Sequence, residues 1–119
     1  NHVQMAVVTS SNDQKMAAVY RARPEVRTMF DRILTAEMFT RSKPDPDCFL
    51  LGMEVFGTTP DTTYVFEDSF NGLKAGMASE ATVIGLATTN PRESIAPLCH
   101  CVLDDFRGFT CDKMLQVHK

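Results

Sequence analysis

Tryptophan is absent from this 119-residue sequence, and so is any apolar run near the ~20 residues that span a bilayer. A membrane-crossing helix is therefore not expected. No charged segment followed by an apolar stretch opens the chain, so it lacks the pattern of a secretory leader. Twelve basic residues face 15 acidic ones, giving a formal charge of −3, and no basic stripe suits nucleic acid. There is no glycine-rich phosphate loop or dinucleotide fingerprint, which disfavours a nucleotide-binding or receiver-like module. The four cysteines (48, 99, 101 and 111) form no C-x-x-C pair and are too unevenly placed for a disulfide framework. Cys99-His100-Cys101 lacks the second ligand pair of a metal site and reads as a strand segment with small apolar thiols. Reduced thiols in a cytoplasmic protein fit this usage.

What is present is apolar material for one core: 44% hydrophobic residues, 23% charged, six glycines and six prolines. Val3 to Val8 reads as a buried strand ending in a polar cluster that caps a helix bearing Met16, Ala17, Val19 and Tyr20. Pro24 fits the start of a short helix with Val26, Met29 and Phe30, and Ile33 to Ala36 fits a second strand. In Arg41-Ser42-Lys43-Pro44-Asp45-Pro46-Asp47 the prolines forbid regular structure up to Asp45, which caps a helix with Pro46 at its first position. That helix ends at Gly57. Strands are expected at Tyr64 to Phe66, Thr82 to Leu86 and Cys101 to Leu103. Helices are expected from about Asn71 to Ser79 and over Ile95 to Leu98, with a terminal amphipathic piece. Alternating short apolar strands and helices predict an α/β fold with a parallel sheet covered on both faces.

Ligands in such sheets bind beyond the carboxyl ends of the strands. After the first strand come Thr9-Ser10-Ser11, after the second a loop leading to Lys43, and after the third Glu67-Asp68-Ser69. Hydroxyl and N–H donors at a helix start, a lysine and two carboxylates suit a phosphate and a divalent cation. Each also has an ordinary reading: Thr-Ser-Ser as a helix cap, Lys43 as a solvated loop residue, Glu67-Asp68 as a solvated turn. Their common position on one sheet edge favours the site.

Thr9 after an apolar strand, Ser42-Lys43-Pro44-Asp45-Pro46 and Val65-Phe66-Glu67-Asp68-Ser69-Phe70-Asn71-Gly72-Leu73-Lys74-Ala75 resemble the haloacid dehalogenase-like (HAD) hydrolases, in particular their β-phosphoglucomutase and sugar-phosphate phosphatase branch. The resemblance implies a three-layer Rossmann-like core and phosphoryl transfer through an aspartyl-phosphate with Mg²⁺ as cofactor. It implies that Thr9 and Lys43 are catalytic and that Thr9, Ser10, Ser11, Lys43 and Asn71 bind the phosphate or substrate. Glu67 and Asp68 would hold the metal. The substrate implied is a small phosphorylated molecule, a sugar phosphate.

The family's D-x-D-x-[TV] nucleophile motif does not occur: the single Asp-x-Asp, Asp45-Pro46-Asp47, opens a helix instead of following a strand. The helical cap that follows that motif in the family is missing too. In the family the nucleophile strand lies between the strands that here end at Thr9 and Glu67. Residues 1–119 are accordingly expected to be the C-terminal part of the core domain, carrying motifs two to four and inactive alone. The rest would come from the same protein or from another chain. Two central strand edges should lie open without it. Glu80 stands where relatives commonly have Gly, as a left-handed helix end prefers. The competing reading is a non-catalytic relative that binds a phosphate-bearing ligand or a partner.

Overall fold

The computed structural model describes residues 4–9, 13–105 and 107–118. Strand β1 (Ala6–Val8) leads to helix α1 (Asp13–Ala22), a short helix α2 (Val26–Met29) and strand β2 (Arg32–Leu34). Helix α3 (Asp47–Phe56), strand β3 (Tyr64–Glu67), helix α4 (Phe70–Ala78) and strand β4 (Thr82–Leu86) follow. The chain then forms α5 (Arg92–Ile95), a 3₁₀ turn over Ala96–Leu98, strand β5 (Cys101–Leu103) and α6 (Cys111–Leu115). Among the described residues no helix is long and apolar enough to cross a membrane.

All strand pairs are parallel, and they fall into two sheets: β1–β2, and β3–β4–β5 with β4 in the middle. β4 reads Thr-Val-Ile-Gly-Leu and is buried along its whole length, as a central parallel strand must be. Among the described residues β1 pairs only with β2, and β3 only with β4. The α/β class is as expected, and so is the interruption between β1 and β3. The core gathers Cys48, Phe49 and Met53 from α3, Leu73 and Ala75 from α4, Val65 and Val83 from the strands, and Ile95.

Several boundaries differ from the sequence reading, each for a local reason. Val3 lies outside the described residues; from Gln4 on, β1 begins at Ala6, since the Met5 N–H donates to Asp31 Oδ2 (2.7 Å) and its carbonyl accepts from the Asp31 N–H (2.8 Å). β2 ends at Leu34, short of Ala36: Thr35 Oγ1 donates to Asp13 Oδ1 (2.6 Å) and the Thr35 carbonyl accepts from the Met38 N–H, so the chain turns. α3 starts at Asp47, with Pro46 as the cap residue where Asp45 was expected. Asp45 keeps the capping chemistry, since its Oδ1 accepts from the Asp47 N–H at 3.0 Å. α4 begins one residue earlier than expected, capped by Ser69 Oγ, which accepts from the Gly72 N–H. The helix read over Ile95–Leu98 is α5 followed by the 3₁₀ turn. Of Cys99-His100-Cys101 only Cys101 lies in a strand. His100 works as a strand extension: its N–H donates to the Val83 carbonyl, and its Nδ1 accepts from the Val83 N–H (both 2.9 Å).

α3 ends as predicted at Gly57, whose φ of 66° is the left-handed conformation glycine adopts at little cost. Glu80 takes the same conformation, with φ of 69°, and does carry a Cβ. Glu80→Gly is expected to raise stability by about 1 kcal/mol. A denaturant titration measures it; an unchanged or lowered midpoint would show that Glu80 is not strained.

Candidate active site

Lys43 is carried by an irregular loop that Asp47 holds from inside α3. Asp47 Oδ2 accepts from the Thr40 N–H (2.6 Å) and the Arg41 N–H (3.0 Å), and the Asp45 N–H donates to the Ser42 carbonyl. The Lys43–Pro44 peptide is cis. From this loop the Lys43 ammonium reaches both sheets. It donates to the Val8 carbonyl at the end of β1 (3.3 Å) and to Glu67 Oε2 at the end of β3 (3.0 Å). The buried Phe49 ring lies beneath it, with its centroid 5.2 Å from Nζ, a cation–π distance. The Lys43 and Glu67 side chains are only 14% and 12% exposed, so this ion pair is largely withdrawn from water.

Glu67 does more than pair with Lys43. Its Oε1 accepts from Ser69 Oγ (3.1 Å) and from the backbone N–H groups of Asp68 (3.2 Å) and Ser69 (3.3 Å), at the start of α4. Charge-assisted hydrogen bonds on both oxygens fix this carboxylate. Gly72 makes room for it: a Cβ at 72 would overlap the Glu67 Cγ and Cδ. The glycine of E-D-S-x-x-G is thus explained by side-chain contact; its φ is ordinary.

Asp68 is held from the other side. Its Oδ2 accepts from Thr89 Oγ1 at 2.7 Å, and its carbonyl accepts from Asn90 Nδ2 at 3.2 Å. The Thr89 hydroxyl is the chief cause of an Asp68 pKa below the ordinary carboxylate value.

These elements enclose an open cavity of about 580 Å³ whose walls include Val8, Thr9, Lys43, Glu67, Asn71 and Asn90. Ser42, Ser69 and Phe70 complete the lining, while Asp68 stands outside it. Thr9 is placed there by its own N–H, which donates to the Leu34 carbonyl and extends the β1–β2 ladder. Of the residues read from sequence, Thr9, Lys43, Glu67 and Asn71 meet at this cavity, with Asp68 beside it. Ser10 and Ser11 lie outside the described residues. Thr89 and Asn90 escaped the sequence reading. Both follow β4 on the same sheet edge, so the strand-end rule that picked out the first three strands would have found them.

Among the described residues no three His, Cys, Asp or Glu side chains converge to hold a metal ion. Among the described residues Glu67, on the cavity wall, and Asp68, beside it, are the carboxylates at this place. Such a set suits Mg²⁺ in kind, because that ion uses one or two carboxylates and completes its shell with waters and substrate phosphate. The set is incomplete in number.

The parallel α/β core thus brings a lysine, one strand-end carboxylate with a second beside it, and the start of a helix to one cavity at the carboxyl ends of its strands. The profile of the haloacid dehalogenase-like hydrolases matches residues 1–86, and the chain belongs to that family, in its β-phosphoglucomutase-like branch. It is 36% identical over 96 residues to a β-phosphoglucomutase of Mycobacterium tuberculosis, covering 79% of this chain and 37% of that protein. It is 34% identical to hexitol phosphatase A of Escherichia coli over 86 residues, covering 71% of this chain and 38% of that one. Among solved structures, CbbY from Rhodobacter sphaeroides in complex with xylulose-(1,5)-bisphosphate superimposes with a TM-score of 0.74 at 27% identity, over 87% of this chain and 47% of that one. The chain thus spans less than two fifths of these two curated relatives and about half of that structure.

Proposed function

We propose that the protein to which this chain belongs is a Mg²⁺-dependent phosphatase or phosphomutase acting on a small sugar phosphate. The observation that carries the reading is the Lys43 ammonium, fixed between the Val8 carbonyl and Glu67 on the wall of a cavity shared with Thr9 and Asn71. Phosphoryl transfer asks a protein mainly for positioning and charge neutralisation. Lys43 supplies a compact positive charge to the phosphoryl oxygens. The Thr9 hydroxyl and the Asn71 side chain supply hydrogen bonds, with Ser10 and Ser11 proposed as further donors. Glu67 keeps Lys43 in place, and Glu67 and Asp68 are the residues that would hold Mg²⁺. When bound there, the ion neutralises phosphoryl charge during transfer.

The nucleophilic aspartate is proposed to lie outside these 119 residues, on a strand that enters between β1 and β3. Two findings support this: the sequence offers no strand-end D-x-D-x-[TV] motif, and β1 and β3 each keep one unpaired edge among the described residues. Residues 1–119 are then the C-terminal part of the core, inactive alone. The related β-phosphoglucomutase and hexitol phosphatase support the substrate class. A reducing, cytoplasmic compartment is in keeping with free Cys48, Cys99 and Cys101.

The test is to incubate the intact protein with a panel of sugar phosphates, with MgCl₂ or with EDTA, and to follow both released phosphate and isomerised ester. Mg²⁺-dependent conversion of at least one ester is expected. Saturable phosphate-ester binding without any conversion would favour the non-catalytic reading instead.

A further inference from the structure

The loop after β4 holds Asp68, whose carboxylate meets Glu67 beside it and takes a short hydrogen bond from Thr89. Asp68 leaves the end of β3, where a strand-terminal carboxylate has several rotamers open to it. Thr89 Oγ1 donates to its Oδ2 at 2.7 Å, the short distance typical of a hydroxyl on an ionised carboxylate. Asn90 Nδ2 donates to the carbonyl of the same residue at 3.2 Å. Side chain and backbone of Asp68 are therefore gripped by two successive residues of a neighbouring strand's loop.

That loop is itself anchored at both ends. Before it, the Ala87 N–H donates to the Leu103 carbonyl (2.8 Å), continuing the β4–β5 ladder. After it, Arg92 donates to the Val102 carbonyl (3.2 Å) and to Asp104 Oδ1 (3.0 Å). Thr89 is β-branched, which limits the directions in which its hydroxyl points. Its exposure means that a change of side chain there leaves the core intact.

We propose that Thr89, supported by Asn90, is the positioning residue for Asp68 and sets the strength with which the site holds a divalent cation. Partners that hydrogen-bond to a ligating side chain orient it, and removing one commonly weakens metal binding 10- to 100-fold. The inference rests on the phosphoryl-transfer reading above for Asp68 as a metal-holding residue.

Calorimetric titration of the intact protein with MgCl₂ alone tests it, using Thr89→Val to delete the hydroxyl while keeping the branched shape and Thr89→Ser to retain the hydroxyl. Thr89→Val is expected to weaken Mg²⁺ binding at least about tenfold. Thr89→Ser should restore most of the affinity, and all three proteins should share the same metal-free melting midpoint. Equal Mg²⁺ affinity in Thr89→Val and the wild type overturns the positioning role and leaves the wider reading standing. So does a Thr89→Ser protein as weak as Thr89→Val. A wild-type protein that binds no Mg²⁺ overturns the metal-dependent reading, and this inference falls with it.

Discussion

Lys43→Ala is expected to lower turnover of a phosphate ester by the intact protein about 100- to 1000-fold, the usual cost of losing a charge-stabilising donor. It should also destabilise the fold, because Glu67 would remain nearly buried without its counter-ion. Breaking such a pair commonly costs about 3 kcal/mol or more. Glu67 still accepts from Ser69 Oγ and two backbone N–H groups, which places the expected loss at the lower end of that scale. The two effects separate in Lys43→Ala/Glu67→Gln. Neutralising Glu67 removes the stranded charge, so the double variant should recover stability relative to Lys43→Ala, measured by denaturant titration. Its turnover should stay as low as that of the single variant, because Lys43 is gone and Glu67 has lost the charge with which it would hold Mg²⁺. Recovery of turnover together with stability would mean that neither the Lys43 charge nor the Glu67 carboxylate takes part in the chemistry.

Gly72→Ala should be the most damaging single methyl group in the chain's site. The added Cβ would overlap the Glu67 Cγ and Cδ, so Glu67 must leave its place. Overpacking of this kind costs about 1–3 kcal/mol by itself. Displacing Glu67 also undoes its bonds to Lys43, to Ser69 and to the start of α4. With Lys43 no longer held between Val8 and Glu67, turnover should fall about 100-fold, as misplacement of a catalytic group by an ångström can do. Gly57→Ala is the matched control. Nothing lies within contact of a Cβ there, and the residue has φ of 66°, so it should cost about 1 kcal/mol of stability and leave turnover unchanged. Equal turnover in Gly72→Ala and wild type would show that the Glu67 position is irrelevant to the chemistry.

The two substitutions mark where the sequence was legible and where it was not. Thr82 to Leu86 reads as a strand without ambiguity, since five successive residues suit burial on both faces and Gly85 alone breaks the β-branched or apolar run. Ile33 to Ala36 looked equally apolar, yet Thr35 follows its hydroxyl to Asp13 and ends the strand early. That is a contact across 22 positions, which local pattern does not contain. The site divides in the same way. Lys43, Glu67 and Asp68 were visible because each follows a recognisable element in the expected order. The pairing of Lys43 with Glu67, and the separate grip of Thr89 on Asp68, depend on how sheets and loops meet in space. The two neighbouring acids touch each other, yet the chief partner of Glu67 is Lys43 and that of Asp68 is Thr89. Thr88-Thr89-Asn90-Pro91 carries an ordinary turn composition, which hid its contact with the acidic pair.

The most direct test of the central claim is to quench the intact protein in acid while it turns over a sugar phosphate radiolabelled on the phosphoryl group, with Mg²⁺ present. The account predicts protein-bound label that is released by hydroxylamine, as an acyl phosphate is. It further predicts that the label is absent with EDTA and greatly reduced in Lys43→Ala. Turnover that continues undiminished in EDTA, or that proceeds with no label on the protein at any quench time, would contradict it.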